Sequence, residues 1–268
     1  MSDHEDNRPP IDAAAVTAGG PWRVEVVAET TSTNAGVADR FRGGEGEGLV
    51  LVAEHQTAGR GRLGRDWVAP PRSSLIVSFL LQPDAPPERW PWLPLLTGVA
   101  AADAVRRVTG VEVGLKWPND VLAEDGHKLG GILLERVEHG GVAAAVVGIG
   151  INCAQTAEEL PVPEATSLAM VTGVAVDRSA LLAALVEELA ARYESWQSGA
   201  DLRPAYLELC RTPGQQVQVT VPGDSVPGGG VRGRATDVDE GGRLVVQTDD
   251  GEERLGAGDV VHVRPAGA

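Results

Sequence analysis

The chain has 268 residues, of which 43% are hydrophobic and 23% charged, and this is enough for one large domain with a smaller one beside it. The formal net charge of −15 argues against a general nucleic-acid-binding protein, because such proteins neutralise phosphates with a basic face. No apolar run approaches the ~20 residues of a membrane span, and the N-terminus lacks the basic-then-apolar order of a signal peptide. The two cysteines, Cys153 and Cys210, are too few for a disulfide framework. We therefore expect a cytoplasmic protein that binds neither DNA nor membranes.

Hydrophobic periodicity and turn residues divide the chain into a tail and two domains. Residues 1–21 are polar and rich in Pro, Ala and Gly, and we expect them to form a flexible tail. In the larger domain, 22–212, the pattern predicts strands at 22–28, 49–54 and 75–81, a hairpin from 128 to 152, helices at 35–41, 93–108 and 200–210, and a long helix capped by Asp177 or Ser179 with an apolar stripe ending at Trp196. Five short valine-rich runs follow in 213–268, which is typical of a small SH3-like β-barrel.

Residues 59–72 form a Gly/Arg segment that is unusual in so acidic a chain. Its charged residues are Arg60, Arg62, Arg65, Arg72 and one acid, Asp66. Glycines allow a backbone to approach a ligand closely, and guanidinium groups match phosphate or carboxylate oxygens, so the segment suggests an anion site. Its G-x-G-x-x-G spacing does not indicate a dinucleotide fold, because Pro70, Pro71 and a strand follow where a helix would have to begin. A solvated charged turn is the alternative.

Only two of the 23 basic residues are lysines, Lys116 and Lys128. A compact ammonium group suits chemistry beside a reacting carbonyl, although chance would also explain the bias. Lys116 is followed by Trp117-Pro118-Asn119-Asp120, which taken alone is an ordinary β-turn.

Glycines inside the predicted hairpin strands indicate a close approach of another group to the backbone. They stand as pairs at Gly130 and Gly131 and at Gly148 and Gly150. Two glycine pairs on neighbouring strands would leave a flat floor that suits a planar ligand. Near the start of the chain, Ser32 or Thr33 is predicted to cap the first helix.

Together these segments resemble the biotin protein ligases, over nearly the whole chain from Trp22 onward. The motifs that carry the resemblance are Ser32-Thr33-Asn34, Gly59-Arg60-Gly61-Arg62-x-Gly64-Arg65-x-Trp67, Lys116-Trp117-Pro118-Asn119-Asp120, Lys128-Leu129-x-Gly131-Ile132-Leu133-x-Glu135 and Gly148-x-Gly150-Ile151-Asn152. The resemblance implies an α+β catalytic domain of the class II aminoacyl-tRNA synthetase-like type with a C-terminal SH3-like β-barrel. It also implies a ligase that converts biotin and ATP, with Mg²⁺, to biotinoyl-5′-AMP and transfers biotin to a lysine of a biotin carboxyl carrier domain, as found in acyl-CoA or pyruvate carboxylases.

The resemblance further implies a role for individual residues. On the biotin side it implies hydrogen bonds to the ureido head from Ser32, Thr33 and Gln56, ligand binding by Asn34, closure over biotin and its carboxylate by Gly59 and Arg60, an apolar wall at Trp67, and contacts with the biotin tail from Gly131, Gly148 and Ile151. On the nucleotide side it implies Arg62 and Arg65 near the phosphates or the ordered loop, Lys116, Asn119 and Asp120 beside ATP, Asp120 near Mg²⁺ or the incoming lysine, and Asn152 at the adenine. Lys128 is implied as the principal catalytic cation, with Arg60 and Asp120.

Several alternatives remain at this point. Regulatory members of the family carry an N-terminal helix-turn-helix domain, and the fewer than about 25 residues before the first predicted strand are too short for one. A lipoate or octanoate ligase or transferase shares the fold, and a non-catalytic biotin-binding or nucleic-acid-binding module is a further alternative. We expect a monomer or weak homodimer, and a Gly/Arg segment that acts as a mobile lid which ligand anions order.

Overall fold

The computed structural model describes residues 8–16, 22–220 and 230–262. Expectations for residues 1–7, 17–21, 221–229 and 263–268 lie outside the described residues. Within the described ranges, no helix has the length and apolar character needed to cross a bilayer.

The chain forms fourteen strands and five α-helices within the described ranges. The strands are β1 (Arg23–Val27), β2 (Leu49–Ala53), β3 (Gly59–Arg60), β4 (Asp66–Trp67), β5 (Ser74–Leu81), β6 (Gly114–Lys116), β7 (Asp120–Leu122), β8 (Lys128–His139), β9 (Val142–Asn152), β10 (Gln216–Thr220), β11 (Val231–Val238), β12 (Leu244–Thr248), β13 (Gly251–Leu255) and β14 (Asp259–His262). The helices are α1 (Thr33–Arg42), α2 (Trp92–Thr109), α3 (Leu168–Thr172), α4 (Arg178–Gln197) and α5 (Arg203–Leu209), with single 3₁₀ turns at Ala13–Ala15, Arg62–Gly64 and Pro87–Arg89.

A seven-stranded sheet organises the larger domain, in the order β1-β2-β5-β9-β8-β7-β6. The β1–β2 pair is parallel and the other neighbouring pairs are antiparallel. Helix α1 packs on one face of the sheet, and α2 and α4 pack on the other. The sheet is therefore buried on both faces, which explains the continuous apolar runs of β2 and β5.

Alternation along β9 separates the two sides of the sheet. Ala144 and Val146 belong to the small apolar cluster under α1, whereas Val147 and Ile149 belong to the main core. Successive side chains in a strand point to opposite faces, so Gly148 and Gly150 lie on the α1 side. The glycine floor thus faces α1.

The long helices begin and end where the sequence predicts. At the start of α4, the Asp177 carboxylate accepts hydrogen bonds from the backbone N–H groups of Ser179 and Ala180. At the end of α2, Gly110 adopts the left-handed conformation with a φ of 73°. Helix α1 differs, because Ser32 holds the N-cap position without a capping hydrogen bond from its side chain.

The second domain is a five-stranded antiparallel sheet in the order β13-β12-β11-β10-β14. Two buried tryptophans of the larger domain anchor it: Trp92 Nε1 donates to Glu240 O at 2.6 Å and Trp117 Nε1 donates to Gly242 O at 2.9 Å. These bonds attach the turn between β11 and β12 to the larger domain, while Asp259 at the start of β14 accepts a hydrogen bond from Arg65 of the Gly/Arg segment.

The described part of the predicted tail, residues 8–16, packs against the larger domain. Arg8 and Ile11 are buried, and Asp12 caps the 3₁₀ turn at Ala13–Ala15. The sequence pattern did not indicate this packing, because it depends on partners more than 40 residues away.

Candidate active site

A cavity of about 780 Å³ lies on the α1 side of the sheet. Its walls are the start of α1, the Gly/Arg segment, strands β8 and β9, residues 161–165 and the start of β14. Of the predicted site residues, the following line it: Ser32, Thr33, Asn34, Gln56, Arg60, Arg62, Arg65, Trp67, Lys116, Asn119, Asp120, Lys128, Gly131, Gly148 and Asn152. The structure therefore brings together in one cavity residues from six separate parts of the chain.

One end of the cavity carries neutral hydrogen-bonding groups at the start of α1. Gln56 Oε1 accepts hydrogen bonds from the backbone N–H of Thr33 at 2.7 Å and from its hydroxyl at 3.1 Å. Gln56 thus takes the capping role that the sequence predicted for Ser32 or Thr33. The buried Ser32 hydroxyl makes no capping hydrogen bond, so it is not committed to the helix end.

Asn34 is held below these groups by a buried polar network. Its Nδ2 donates to Glu135 Oε2 at 2.7 Å and to Leu133 O at 3.3 Å, and its Oδ1 lies 2.6 Å from Ser78 Oγ. A Cβ added at Gly148 would lie 2.1 Å from Asn34 Oδ1, so any side chain there would displace the Asn34 amide. Sequence reasoning gave no role to Ser78 and none to Glu135.

The glycine floor is partly covered by the Trp67 indole. A Cβ added at Gly150 would lie 2.5 Å from Trp67 Cε2 and Cζ2, and one added at Gly131 would lie 3.6 Å from Trp67 Cζ3. Trp67 Nε1 is buried without a hydrogen-bond partner. The predicted planar surface is therefore present, with the indole of this chain against Gly150.

Lys128 and Asp120 form an ion pair at the other end of the cavity, with Nζ 2.5 Å from Oδ1. The backbone of Lys128 is fixed on both sides, because its N–H donates to Glu164 O at 2.7 Å and its carbonyl accepts from Thr166 N at 2.8 Å. Lys116 also lines the cavity, so two ammonium groups face it. Burial, and to a smaller extent the charge of Lys116, lowers the pKa of His262.

Three arginines of the Gly/Arg segment have protein partners. Arg60 donates to Glu135 Oε2 at 3.0 Å, Arg62 to Asn119 Oδ1 at 3.1 Å and Arg65 to Asp259 Oδ1 at 3.2 Å. The prediction of a mobile lid assumed that the arginines repel one another. The carboxylates of Glu135 and Asp259 reduce this repulsion. Ordering of the segment by ligand stays a prediction.

Arg62 is the most enclosed of these arginines. Burial is the main cause that lowers the pKa of its guanidinium, with a smaller contribution from Arg65, while Asp259 and Asp120 oppose the shift. An arginine keeps its charge in proteins, so an anionic ligand would meet a partly desolvated positive charge here.

One predicted contact, that of Ile151, needs correction, and a second, that of Asn152, stays a prediction. The prediction that Ile151 lines the biotin tail is wrong for its side chain, which is fully buried in the main core. Ile151 is three positions after Gly148, and successive side chains alternate between the faces of a strand, so the two residues lie on opposite faces of β9. Asn152 does reach the cavity, but its side chain is bonded to Thr166 O and Gln155 Nε2. The predicted contact of Asn152 with adenine stays a prediction.

Among the described residues, no group of three His, Cys, Asp or Glu side chains could hold a metal ion. Four carboxylate residues line the cavity, namely Asp66, Asp120, Glu164 and Asp259. Of these, Asp120 lies beside Lys128 and suits Mg²⁺ that arrives on nucleotide phosphates, because this ion is commonly held by one or two carboxylates plus phosphate oxygens.

Comparison with known proteins shows the family to which the chain belongs. Residues 25–152 match the Biotin/lipoate A/B protein ligase family, and residues 212–263 match the Biotin protein ligase C terminal domain. A biotin–[acetyl-CoA-carboxylase] ligase from Mycobacterium tuberculosis is 41% identical over 98% of this chain and 100% of its own length. The chain belongs to the biotin protein ligase family. This confirms the family that the motifs suggested.

Other members of the family agree in sequence and in fold. A biotin–[acetyl-CoA-carboxylase] ligase from Paracoccus denitrificans is 33% identical over 88% of this chain and 98% of its own length. The biotin protein ligase from Aquifex aeolicus, solved in complex with biotin and ATP, superposes with a TM-score of 0.76 at 27% identity, over 91% of this chain and 99% of the other. The ligase fold with an SH3-like C-terminal domain is thereby confirmed.

Proposed function

We propose that this chain is a biotin–protein ligase that makes biotinoyl-5′-AMP from biotin and MgATP and then biotinylates a carrier-domain lysine. The observation that carries the proposal is the cavity itself, in which a neutral hydrogen-bonding end and a cationic end are joined by a glycine floor. Biotin has the matching shape, since its ureido head is neutral and polar and its carboxylate stands at the end of an apolar chain.

The neutral end would hold the ureido head through Ser32, Thr33 and Gln56. Ser32 and Thr33 bring hydroxyl groups, and the Gln56 amide provides both a donor and an acceptor. The network behind them, through Asn34 and Glu135, keeps these groups in place before the ligand arrives. The apolar tail would then lie along Trp67.

The cationic end would stabilise adenylate formation. In that step a biotin carboxylate oxygen attacks the α-phosphorus of ATP, the bond from that phosphorus to the bridging oxygen breaks, and pyrophosphate leaves with Mg²⁺. Negative charge accumulates on the α-phosphate and on the leaving group, so Lys128, Arg62 and Arg65 would lower the barrier electrostatically. Arg60 would hold the carboxylate, and Asp120 would orient Lys128 and contact Mg²⁺.

The second step transfers biotin to protein. The uncharged amine of a carrier lysine attacks the biotin carbonyl carbon, AMP leaves, and the nitrogen loses a proton as the amide forms. Asp120 is placed to accept that proton, because it is the carboxylate beside Lys128 in the cavity. The acceptor would be a biotin carboxyl carrier domain of an acyl-CoA or pyruvate carboxylase. Action in the cytoplasm without DNA or membrane binding, and a monomer or weak homodimer, complete the proposal.

A transfer assay tests the proposal against its alternative. The protein is incubated with MgATP, an apo biotin carrier domain and either biotin or lipoate, and the carrier is weighed by mass spectrometry. We expect the carrier to gain one biotin and no lipoyl group. A gain with lipoate alone would identify a lipoate ligase, and no gain with either acid would refute ligase activity.

A further inference from the structure

Residues 8–12, which the proposed reaction does not use, are tied to the larger domain by buried polar contacts; we call them the N-terminal strap. Arg8 is 7% exposed, and its Nη2 donates to Ala154 O at 2.9 Å and to Glu159 Oε2 at 2.5 Å. Ile11 N donates to Glu54 Oε1 at 2.6 Å. A segment without a structural role would not bury a guanidinium, because burial of a charge is costly unless partners compensate it.

A buried ion pair holds the middle of the strap. Arg178 Nη2 lies 2.8 Å from Glu54 Oε2, with side chains only 4% and 9% exposed. The same Nη2 donates to Pro9 O at 2.6 Å, and Arg178 Nη1 donates to Ser74 O at 3.2 Å. The loss of one partner from such a pair leaves an uncompensated buried charge, so the strap and the ion pair stabilise each other.

These contacts fall where two walls of the cavity begin. Glu54 lies directly after β2, and its backbone carbonyl accepts a hydrogen bond from Arg72 N at 2.8 Å. This bond closes the loop of residues 54–72, which includes the whole Gly/Arg segment. Ala154 lies just after β9, and its N–H donates to Ser73 O at 2.7 Å. The strap therefore contacts the base of both walls.

One wall runs from the strap to the catalytic lysine. Its first turn is closed by Glu159, which accepts from Thr156 N at 3.0 Å while it holds Arg8. Residues 161, 162, 164 and 165 line the cavity, and the Glu164 carbonyl accepts from Lys128 N at 2.7 Å. We call residues 154–166 the Arg8-bound wall.

We propose that the N-terminal strap positions the Arg8-bound wall and thereby retains biotinoyl-5′-AMP, with Arg8 as a positioning residue. The retention part rests on the proposed function. Arg8 does not line the cavity, so it acts only through Ala154 and Glu159. The neutral end of the cavity, at Thr33 and Gln56, is held by other contacts and is not expected to respond.

The test compares full-length Arg8→Ala and Arg8→Lys with two controls. Asp12→Ala removes only the side-chain cap of Ala14 within the same strap, and Arg42→Ala removes an exposed ion pair with Asp39. The measurements are hydrogen exchange of the ligand-free proteins, the dissociation rate of biotinoyl-5′-AMP, and KM for biotin.

Arg8→Ala should speed exchange in residues 154–166 and leave exchange in 231–262 unchanged. Loss of the charge-assisted bonds should accelerate adenylate dissociation by roughly 10- to 100-fold. KM for biotin should change by less than about twofold, which corresponds to well under 1 kcal/mol of binding free energy. The reason is that the neutral end of the cavity is held by contacts that do not involve the strap. Arg8→Lys, which keeps a charged donor near Glu159, should recover most of the retention, and both controls should behave as wild type.

Equal exchange in 154–166 and an unchanged dissociation rate in Arg8→Ala would overturn the proposal. So would faster exchange everywhere with an equal rise in KM for biotin, because that pattern shows general destabilisation. If Arg8→Ala does not fold, Glu159→Gln provides the same test with the Arg8–Ala154 bond retained. A wild-type protein that forms no adenylate overturns the proposed function and the retention role, and the exchange comparison still decides whether the strap positions the wall.

Discussion

The contact between Trp67 and the glycine floor can be tested by one added methyl group. In Gly150→Ala the new Cβ would lie 2.5 Å from Trp67 Cε2 and Cζ2, whereas non-bonded carbons prefer about 3.5–4.0 Å. Gly150 lies in β9 between β5 and β8, so its backbone is held on both sides. The indole must therefore move by about 1 Å or more.

The expected cost follows from two opposing effects. Overpacking of this kind destabilises by ~1–3 kcal/mol. Replacement of glycine by alanine stabilises by ~0.4–1 kcal/mol through the unfolded chain when the native backbone tolerates it. We therefore expect Gly150→Ala to lower the free energy of unfolding by about 1 kcal/mol, within a range of roughly 0–2.6 kcal/mol.

Gly131→Ala is the matched control, because it lies opposite Gly150 in the β8–β9 pair. Its added Cβ would lie 3.4 Å from Lys128 Cε and Nζ, at the end of a flexible side chain. We expect a change between zero and ~1 kcal/mol of stabilisation. Urea unfolding at equilibrium measures both variants, provided that the slope m is unchanged.

A double-mutant cycle identifies the cause. In a Trp67→Ala background the clash is absent, so the cost of Gly150→Ala should disappear. The same cost with and without the indole, or equal stabilities of Gly150→Ala and Gly131→Ala, would refute the proposed contact.

The remaining predictions concern charged groups of the cavity. Lys128→Ala should abolish adenylate formation while circular dichroism shows an intact fold; adenylate formed at the wild-type rate would exclude Lys128 as the catalytic cation. Arg60→Ala should accelerate adenylate dissociation by roughly 10- to 100-fold through loss of charge-assisted bonds, and Arg42→Ala, the exposed control, should not. Burial and Lys116 lower the pKa of His262 from 6.5, so the folded state disfavours its protonation. Its contribution to stability is present above about pH 6.5 and is lost as pH falls. His262→Gln should therefore lose less stability than wild type between pH 7 and about pH 5, measured by urea unfolding, and parallel pH profiles would contradict this.

Local patterns predicted most elements of the fold. The capping carboxylate of Asp177, the stop at Gly110 and the valine-rich runs after residue 213 each reflect interactions within a few residues, and the structure confirms them. The glycine pairs likewise predicted a floor, because a missing Cβ in a strand has a direct local meaning.

Contacts between distant segments were not accessible from sequence patterns. Asp259 binds Arg65 from 194 residues away, and Arg8 binds Glu159 from 151 residues away. Ser78 occupies an apolar strand and carries no signal of its polar neighbours. The error at Ile151 has a different origin, since the alternation of β9 would have excluded it from the face of Gly148.

Formation of biotinoyl-5′-AMP without any acceptor protein tests the central claim most directly. The protein is mixed with biotin and MgATP labelled at the α-phosphate, and the products are separated after a single turnover. We predict biotin-dependent transfer of the label to biotinoyl-5′-AMP, with one pyrophosphate released per adenylate. Release of labelled ADP, or an AMP product that does not depend on biotin, would contradict the account.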